Sequence, residues 1–527
     1  MPERARRFWL SSQQADGYAS WFRLLASAAA GAGLALSFTW LYFPLYAWVS
    51  IGVLMMMVLG ARPAVAYLCG HVHALAFVLC SVPWIAEVLA VHGGMSLPAG
   101  WGVLLLIATA WGALSGGFAW SVNRLARRSM PLACAGAPFL WVAFEFARAH
   151  LPEVSFPWNL LGYSAAQNPA LAQLSAVTGV YGLSLVMAAF NALLAWADAA
   201  KSASFARRFS PVVLSAVALT VAAYAGERLV PVAEAGHFAR AVQPNFPEVE
   251  SYPGDWFERY AADMDQLGEL SLAPSRQAPD LIVWPEAPAP FSWQDLQFAK
   301  RAADLAGRSG HPFLAGVVEW KSEMLPSGHM GQAPYNSAVL VDPQGQKIFS
   351  YDKRHLVPFG EYEPFPLIHR VVQSVSSEVG GFHKGQVASI GQLPGGYKFG
   401  VFICYEAIYP GEVREFAAKG ANLLINISND GWFGRSAAAD QHLRMARLRA
   451  VENRRWVLRV TNSGLTAAID PYGRLYQTIP RDVRAAVDLP YDFRTDTTLY
   501  TRFGDWLAWL CVAVSVILLA NTFRKRT

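Results

Sequence analysis

Long stretches almost free of charge constrain this chain more than any other feature of its sequence. A helix needs about 20 mostly apolar residues to cross the hydrocarbon core of a membrane. Eight stretches meet this need, namely residues 22–40, 44–60, 63–82, 101–122, 131–149, 176–196, 211–230 and 504–522. Hydrophobic residues make up 54% of the 527 residues and charged residues only 15%, which is too apolar for a soluble protein. The sequence therefore predicts a polytopic α-helical membrane bundle of about eight spans.

Lys and Arg predict the direction of the spans, because they are retained on the cytoplasmic side of short loops. On an eight-span count they fall in the inner segments, whereas the outer loops 83–100 and 151–175 carry none. Much of the net charge of +5 lies in these inner segments, so it indicates no nucleic-acid partner. Both termini are then cytoplasmic. The predicted domains are 1–230 with seven transmembrane helices, an extracytoplasmic domain 231–503, and 504–527 with one helix and a basic tail.

The extracytoplasmic segment has the mixed composition of a globular domain. Short apolar runs typical of buried strands occur at 280–284, 313–318, 337–341, 398–403, 421–427 and 456–461. Helical spacing occurs between them at 255–272, 292–309, 410–419 and 437–454. Pro and Gly in Asp342-Pro-Gln-Gly345 and Asp470-Pro-Tyr-Gly473 indicate hairpin turns. The alternation predicts an α/β domain with helices on the outer faces of sheets.

Cysteine usage isolates one residue. Four of the five cysteines lie in predicted spans, and only Cys404 lies in the outer domain. A lone cysteine cannot form an internal disulfide, so Cys404 is either a buried filler or a reactive thiol.

Three residues with ionisable side chains come directly after predicted strands, namely Glu286, Lys353 and Cys404. Sites collect at the carboxyl ends of strands in α/β sheets, so these three side chains can converge. A carboxylate can take the proton of a thiol nucleophile, and an ammonium can stabilise the thiolate and the oxyanion of a tetrahedral intermediate. Taken singly, the Glu is more often a capping or solvated carboxylate and the Lys a solvated loop residue.

The same residues resemble a known family. Trp-Pro-Glu286, the segment from Tyr351-Asp-Lys353 to Gly-Glu361-Tyr, and Ile403-Cys404-Tyr405-Glu406 are similar to the Glu-Lys-Cys motifs of the nitrilase (carbon–nitrogen hydrolase) superfamily. With the flanking spans, they look like the apolipoprotein N-acyltransferase family. The resemblance implies an αββα sandwich, catalytic roles for Glu286, Lys353 and Cys404, and a location in the bacterial inner membrane. It also implies a phospholipid acyl donor, a diacylglyceryl-modified apolipoprotein acceptor and no cofactor.

The resemblance further implies supporting residues. These are Glu361, Tyr405, Glu406 and Asn336 around the site, with Trp256 and Trp432 as binding or gating residues. Ordinary interpretations stay open, because Glu406 can simply anchor a turn and both tryptophans can be core or surface aromatics. Arg444, Arg447, Arg449, Arg454 and Arg455 are expected to form a solvated or ion-paired face.

Two other classes of function compete with the acyltransferase interpretation of the sequence. A membrane-anchored nitrilase-type amidase would use the same three residues but transfer the acyl group to water. A transporter or sensor would need ionisable residues within the bundle, and the predicted spans are nearly bare of them. His71, His73 and His92 indicate no metal site, since no further ligand cluster accompanies them.

Overall fold

A computed structural model describes residues 16–151, 155–200, 202–247, 256–287, 291–324, 328–358, 360–362 and 381–524, with only the backbone at 16–19 and 256–259. The helices that precede the catalytic domain are α1 (Asp16–Ala35), α2 (Ser50–Val58), α3 (Pro63–Ser81), α4 (Trp84–Val91), α5 (Leu97–Ala126), α6 (Met130–His150), α7 (Pro169–Ala172), α8 (Ser175–Thr178), α9 (Val180–Ala199) and α10 (Phe205–Glu227). The long ones form a polytopic membrane bundle.

The predicted spans correspond closely to these helices. Within the described ranges, α3, α5, α6, α9, α10 and the C-terminal Trp506–Phe523 are long and apolar enough to cross a membrane. The count of eight is approximate, because the other two predicted spans are less regular. The first, 22–40, overlaps α1, and the second, 44–60, contains the apolar segment Pro44–Val58, in which a short 3-10 turn precedes α2.

Within the described residues, the domain that follows α10 contains two six-stranded sheets. The strands are β1 (His237–Gln243), β2 (Leu281–Val283), β3 (Phe313–Met324), β4 (Met330–Val341), β5 (Lys347–Asp352), β6 (Ile390–Gln392), β7 (Lys398–Ile403), β8 (Leu423–Ser428), β9 (Val457–Thr461), β10 (Thr466–Ile469), β11 (Leu475–Ile479) and β12 (Ala485–Tyr491). The first sheet has the order β12-β1-β2-β3-β4-β5, and the second has the order β11-β10-β9-β8-β7-β6. All six predicted strands are confirmed.

Helices cover the outer faces of both sheets. They are α11 (Trp256–Leu272) and α12 (Leu296–Ser309) on the first sheet, and α13 (Pro410–Ala418) and α14 (Ala438–Asn453) on the second. Apolar side chains from both sheets, such as Leu314 and Leu424, share one buried core. The domain is therefore a four-layer αββα sandwich of the nitrilase type. After β12 the chain continues through α15 (Leu499–Phe503) into α16 (Trp506–Phe523).

Local sequence signals account for the element ends. Asp295 caps α12 by accepting hydrogen bonds from the backbone N–H groups of Gln297 and Phe298. Gly310 ends the same helix with φ of 72°, a left-handed conformation that glycine adopts without a steric penalty. The two predicted hairpin turns are also present, and each uses its glycine at positive φ, 79° at Gly345 and 89° at Gly473.

The catalytic domain packs directly on the membrane bundle, and this contact corrects one expectation. A single apolar cluster joins bundle residues to Tyr405, Tyr409 and Met445 of the domain. Helix α14 lies at this junction, so its arginines are not a solvated face. Arg444, Arg449 and Arg455 are buried. The ion-paired part of the expectation holds for Arg449, whose Nε lies 3.0 Å from Glu452 Oε2.

Candidate active site

The carboxyl ends of strands in both sheets supply the three predicted catalytic residues. Glu286 follows β2 and Lys353 follows β5 in the first sheet, while Cys404 follows β7 in the second. All three side chains are buried. They also lie close enough to interact, because Glu286 and Lys353 both act electrostatically on the thiol of Cys404. Two sheets that face each other thus bring together residues that are far apart in sequence.

Lys353 lies at the centre of a charge cluster, defined here as Glu286, Asn336, Lys353 and Glu361. Its ammonium lies 3.0 Å from Glu286 Oε1 and 2.8 Å from Glu361 Oε1. Burial by itself disfavours the ammonium, but the carboxylates of Glu286 and Glu361 hold the pKa of Lys353 well above its usual range. Lys353 therefore stays charged at neutral pH.

Asn336 joins the two carboxyl groups of the charge cluster. Its Nδ2 donates to Glu286 Oε1 at 2.7 Å and to Glu361 Oε1 at 2.8 Å. The other oxygen of Glu361 accepts the backbone N–H of Val357 at 2.7 Å. The predicted supporting residues Asn336 and Glu361 thus both contact the residues they were predicted to support.

Glu286 also reaches the second sheet. Its Oε2 accepts the backbone N–H of Asn429, just after β8, at 2.8 Å. A carboxylate oxygen can accept two hydrogen bonds, so Oε2 has room for a proton from a nearby thiol. Burial, together with the negative charge of Glu286, raises the pKa of Cys404 well above its usual range, and Lys353 lowers it in part. Cys404 is therefore a thiol at neutral pH, and it would have to lose its proton to act as a nucleophile.

The backbone of Cys404 is in an unusual conformation. Its φ is 47°, in the left-handed region that few residues other than glycine adopt. Cys404 begins a short 3-10 turn that runs to Ile408. This turn directly after β7 places the thiol of Cys404 at the carboxyl end of the strand, next to the backbone N–H of Tyr405, a group of the kind that can donate to an oxyanion.

Tyr405 and Glu406 both lie in this turn, but their side chains contact different parts of the structure. Tyr405 packs in the apolar cluster shared with the bundle, with its ring 6.4 Å from that of Phe156. Glu406 Oε1 accepts hydrogen bonds from Tyr351 Oη at 2.7 Å and from the backbone of Arg354 at 2.7 Å. Its Oε2 accepts the backbone N–H of Ile403 at 2.6 Å. These contacts favour the interpretation of Glu406 as an anchor of the turn.

Of the two predicted gating tryptophans, Trp432 has a described side chain and Trp256 does not. Trp432 lies in a short turn after β8 and is 39% exposed, and its ring centroid lies 4.5 Å from that of His92 of the bundle, with the ring planes tilted by 52°. Trp256 begins α11, and its side chain lies outside the described residues. Gating by either residue stays a prediction.

Sequence reasoning missed a second buried group behind the nucleophile, the support cluster, defined here as Asp430, His442 and Arg459. Arg459 lies 2.6 Å from Asp430 Oδ2, and His442 Nδ1 lies 3.1 Å from Asp430 Oδ1. The sequence predicted a role for the nearby Trp432 but none for Asp430. His442 gave no local signal, because it lies within an ordinary helical pattern.

Comparisons with known proteins agree with this architecture. Residues 239–490 match the family described as Carbon-nitrogen hydrolase, and residues 30–193 match the Apolipoprotein N-acyltransferase N-terminal domain. The apolipoprotein N-acyltransferase of Geobacter metallireducens is 32% identical, over 95% of this chain and 96% of its own. That of Azotobacter vinelandii is 31% identical over 90% of each chain. An amidase from Nesterenkonia sp. aligns over 50% of this chain and 93% of its own, at 18% identity and a TM-score of 0.35.

Proposed function

Because this chain belongs to the apolipoprotein N-acyltransferase family, we propose that Cys404, Glu286 and Lys353 carry its acyl transfer through a thioester. The chain is a multi-pass bacterial membrane protein and an acyltransferase of the carbon–nitrogen hydrolase superfamily. The observation that carries the proposal is the charge cluster: a buried ammonium between two carboxyl groups, next to a buried thiol.

In the first step, Cys404 Sγ attacks the ester carbonyl of a phospholipid. The thiol proton passes to Glu286 as the S–C bond forms. The ester C–O bond then breaks, and Glu286 returns the proton to the leaving oxygen to give a lysophospholipid. Lys353 and the backbone N–H of Tyr405 stabilise the negative charge that develops during the attack.

In the second step, the free α-amine of a diacylglyceryl-modified cysteine attacks the thioester. Glu286 accepts a proton from the amine as the N–C bond forms, the C–S bond breaks, and Cys404 regains its proton. The product is an N-acylated lipoprotein. No electrons are transferred overall, so the exchange needs no redox cofactor.

The packing of the domain on the bundle supports lipid substrates for both steps. Tyr405, next to the nucleophile, belongs to the apolar cluster of the bundle. The residue next to Cys404 therefore packs against the bundle, on the side of the domain where a donor or acceptor is held in the bilayer by its acyl chains. A soluble amide needs no such packing against a bundle, which favours the acyltransferase over a membrane-anchored amidase.

One assay separates these two activities. The purified protein is incubated with a phospholipid and with a synthetic peptide that begins with diacylglyceryl-cysteine. We expect N-acylated peptide and lysophospholipid in equal amounts, with little free fatty acid. Free fatty acid without acylated peptide would instead identify the protein as a hydrolase. A peptide with an acetylated α-amine is the matched control and should stay unmodified.

We further propose the domain boundaries 1–230, 231–503 and 504–527, with the catalytic domain outside the cytoplasm and both termini inside. A membrane-impermeant thiol reagent tests the sidedness on intact spheroplasts. Ser322 and Ser202 both lie at exposed positions. Ser322→Cys should be labelled and Ser202→Cys should not, with the unsubstituted chain as the blank. The reverse pattern would contradict the topology.

A further inference from the structure

Two adjacent residues of α14, Gln441 and His442, link the membrane bundle to Cys404. Gln441 faces the bundle and is buried. Its side chain accepts from the indoles of Trp158 at 2.7 Å and Trp84 at 3.2 Å, and it donates to the carbonyls of Phe38 at 2.9 Å and Ser81 at 2.8 Å. The carbonyl and the NH2 of the Gln441 side-chain amide are thus bonded to four residues of the bundle.

His442 faces the nucleophile and is fully buried. Its Nε2 lies 2.9 Å from the carbonyl oxygen of Cys404. A carbonyl oxygen can only accept, so Nε2 carries the proton and donates it. The other ring nitrogen lies 3.1 Å from Asp430 and 3.2 Å from the guanidinium of Arg459. The ring also stacks on Trp158 of the bundle at 5.7 Å.

The hydrogen bond from His442 orients the whole peptide group between Cys404 and Tyr405, and not only its carbonyl. A peptide group is planar and, here, trans, so the N–H of Tyr405 points directly away from the carbonyl of Cys404. Fixing the oxygen therefore fixes the N–H. The left-handed backbone of Cys404 is a conformation that persists only where its surroundings hold it, and the bond to His442 is such a restraint.

We infer that Gln441 and His442 are positioning residues through which the membrane bundle orients the peptide between Cys404 and Tyr405. Gln441 attaches α14 to the bundle, and His442 holds the Cys404 carbonyl so that the Tyr405 N–H faces the acyl oxyanion. The inference rests on the proposed function, because it assigns that N–H to the proposed thioester chemistry.

The test compares rates of acyl-adduct formation on Cys404, measured by intact-protein mass spectrometry with phospholipid as donor. His442→Leu removes the donor, and we expect the rate to fall by about 10²-fold, as when one preorganised oxyanion donor is lost. His442→Gln keeps an N–H at a similar reach and should recover most of the rate. The phospholipid concentration for half-maximal rate should stay the same in both.

A second readout separates positioning from general damage. Iodoacetamide reacts with a thiolate without forming an oxyanion, so its rate with Cys404 should change less than about threefold in His442→Leu. If alkylation and acylation fall together, or if His442→Leu acylates at the wild-type rate, the inference is wrong. Should His442→Leu fail to fold, His442→Asn, whose amide is too short to reach the carbonyl, takes its place.

A variant of Gln441 tests the contact between α14 and the membrane bundle. Gln441→Leu should slow adduct formation and again leave alkylation nearly unchanged. Asp440→Asn, on the half-exposed side of the same helix, is the matched control and should behave as wild type. A normal acylation rate in Gln441→Leu would remove the bundle from the mechanism. If wild-type protein forms no adduct at all, the proposed function fails, whereas loss of the inference alone leaves the wild-type adduct intact.

Discussion

The charge cluster and the support cluster flank the same cysteine but differ in composition. The first sheet supplies the charge cluster, in which two carboxyl groups share the single ammonium of Lys353. The second sheet and helix α14 supply the support cluster, in which one carboxylate, that of Asp430, faces a guanidinium and an imidazole. Both groups are buried, so solvent screens neither of them strongly.

The different compositions of the charge cluster and the support cluster indicate different roles. Burial opposes ionisation of Asp430, but the guanidinium of Arg459 holds the pKa of its carboxyl well below its usual range. The support cluster therefore exchanges no proton near neutral pH and acts as a fixed frame. The charge cluster has a second carboxyl group and a spare acceptor site on Glu286, so it can take and return a proton. Changes there should alter chemistry, whereas changes in the support cluster should alter geometry.

The largest effect short of losing the nucleophile is expected for Glu286→Gln. The amide keeps the shape of the side chain but cannot accept or return the proton, so adduct formation should slow by about 10²–10⁴-fold. The carboxylate of Glu286 also raises the pKa of Cys404, so iodoacetamide alkylation of the variant should shift to lower pH. A thiol that alkylates more readily but acylates more slowly would show that Glu286 is the base.

Lys353→Met should slow adduct formation somewhat less, by about 10²–10³-fold, because an oxyanion stabiliser is lost. The sign of the alkylation shift should be opposite to that of Glu286→Gln. Lys353 lowers the pKa of Cys404, so its removal should move the alkylation profile to higher pH. An unchanged profile would mean that Lys353 serves only as a structural partner of Glu286 and Glu361.

Glu406→Gln should have the smallest effect on rate, about tenfold or less, because Glu406 anchors the turn and touches no reacting atom. Its effect should appear in stability against pH. Burial, and then the charge of Glu412, raise the pKa of Glu406 from 4.5 to about 7, which corresponds to about 3 kcal/mol. That stability is present below pH 4.5 and is lost as the pH rises through 7.

Thermal unfolding of the detergent-solubilised protein between pH 5 and pH 8 can check this sign. The wild-type midpoint should fall across the interval, and the midpoint of Glu406→Gln should fall less. Equal slopes in the two proteins would contradict the assignment of the pH dependence to Glu406.

The sequence predicted residues whose positions follow from local patterns. Glu286, Lys353 and Cys404 each end a strand, and strand ends are readable from apolar runs. The two sheets, which face each other, then bring the three residues together. The same holds for the αββα layers, which follow from alternating strands and helices together with the family resemblance.

Contacts between distant segments were not predictable in this way. Helical spacing places His442 on α14, but it does not reveal that this face meets the carbonyl of Cys404. For the same reason the arginines in and just after α14 were expected to form a solvated or ion-paired face. A charged helix face looks the same in sequence whether water or a second domain covers it, and here the membrane bundle covers it.

We propose that the charge cluster allows Cys404 to carry an acyl chain as a thioester, and one measurement tests this role most directly. The purified protein is incubated with phospholipid alone, and its intact mass is recorded before and after treatment with neutral hydroxylamine. We expect a mass increase of one acyl chain on Cys404 that hydroxylamine removes, and no adduct in Cys404→Ser. A wild-type protein that transfers acyl chains without such an adduct, or a serine variant with wild-type turnover, would contradict the account.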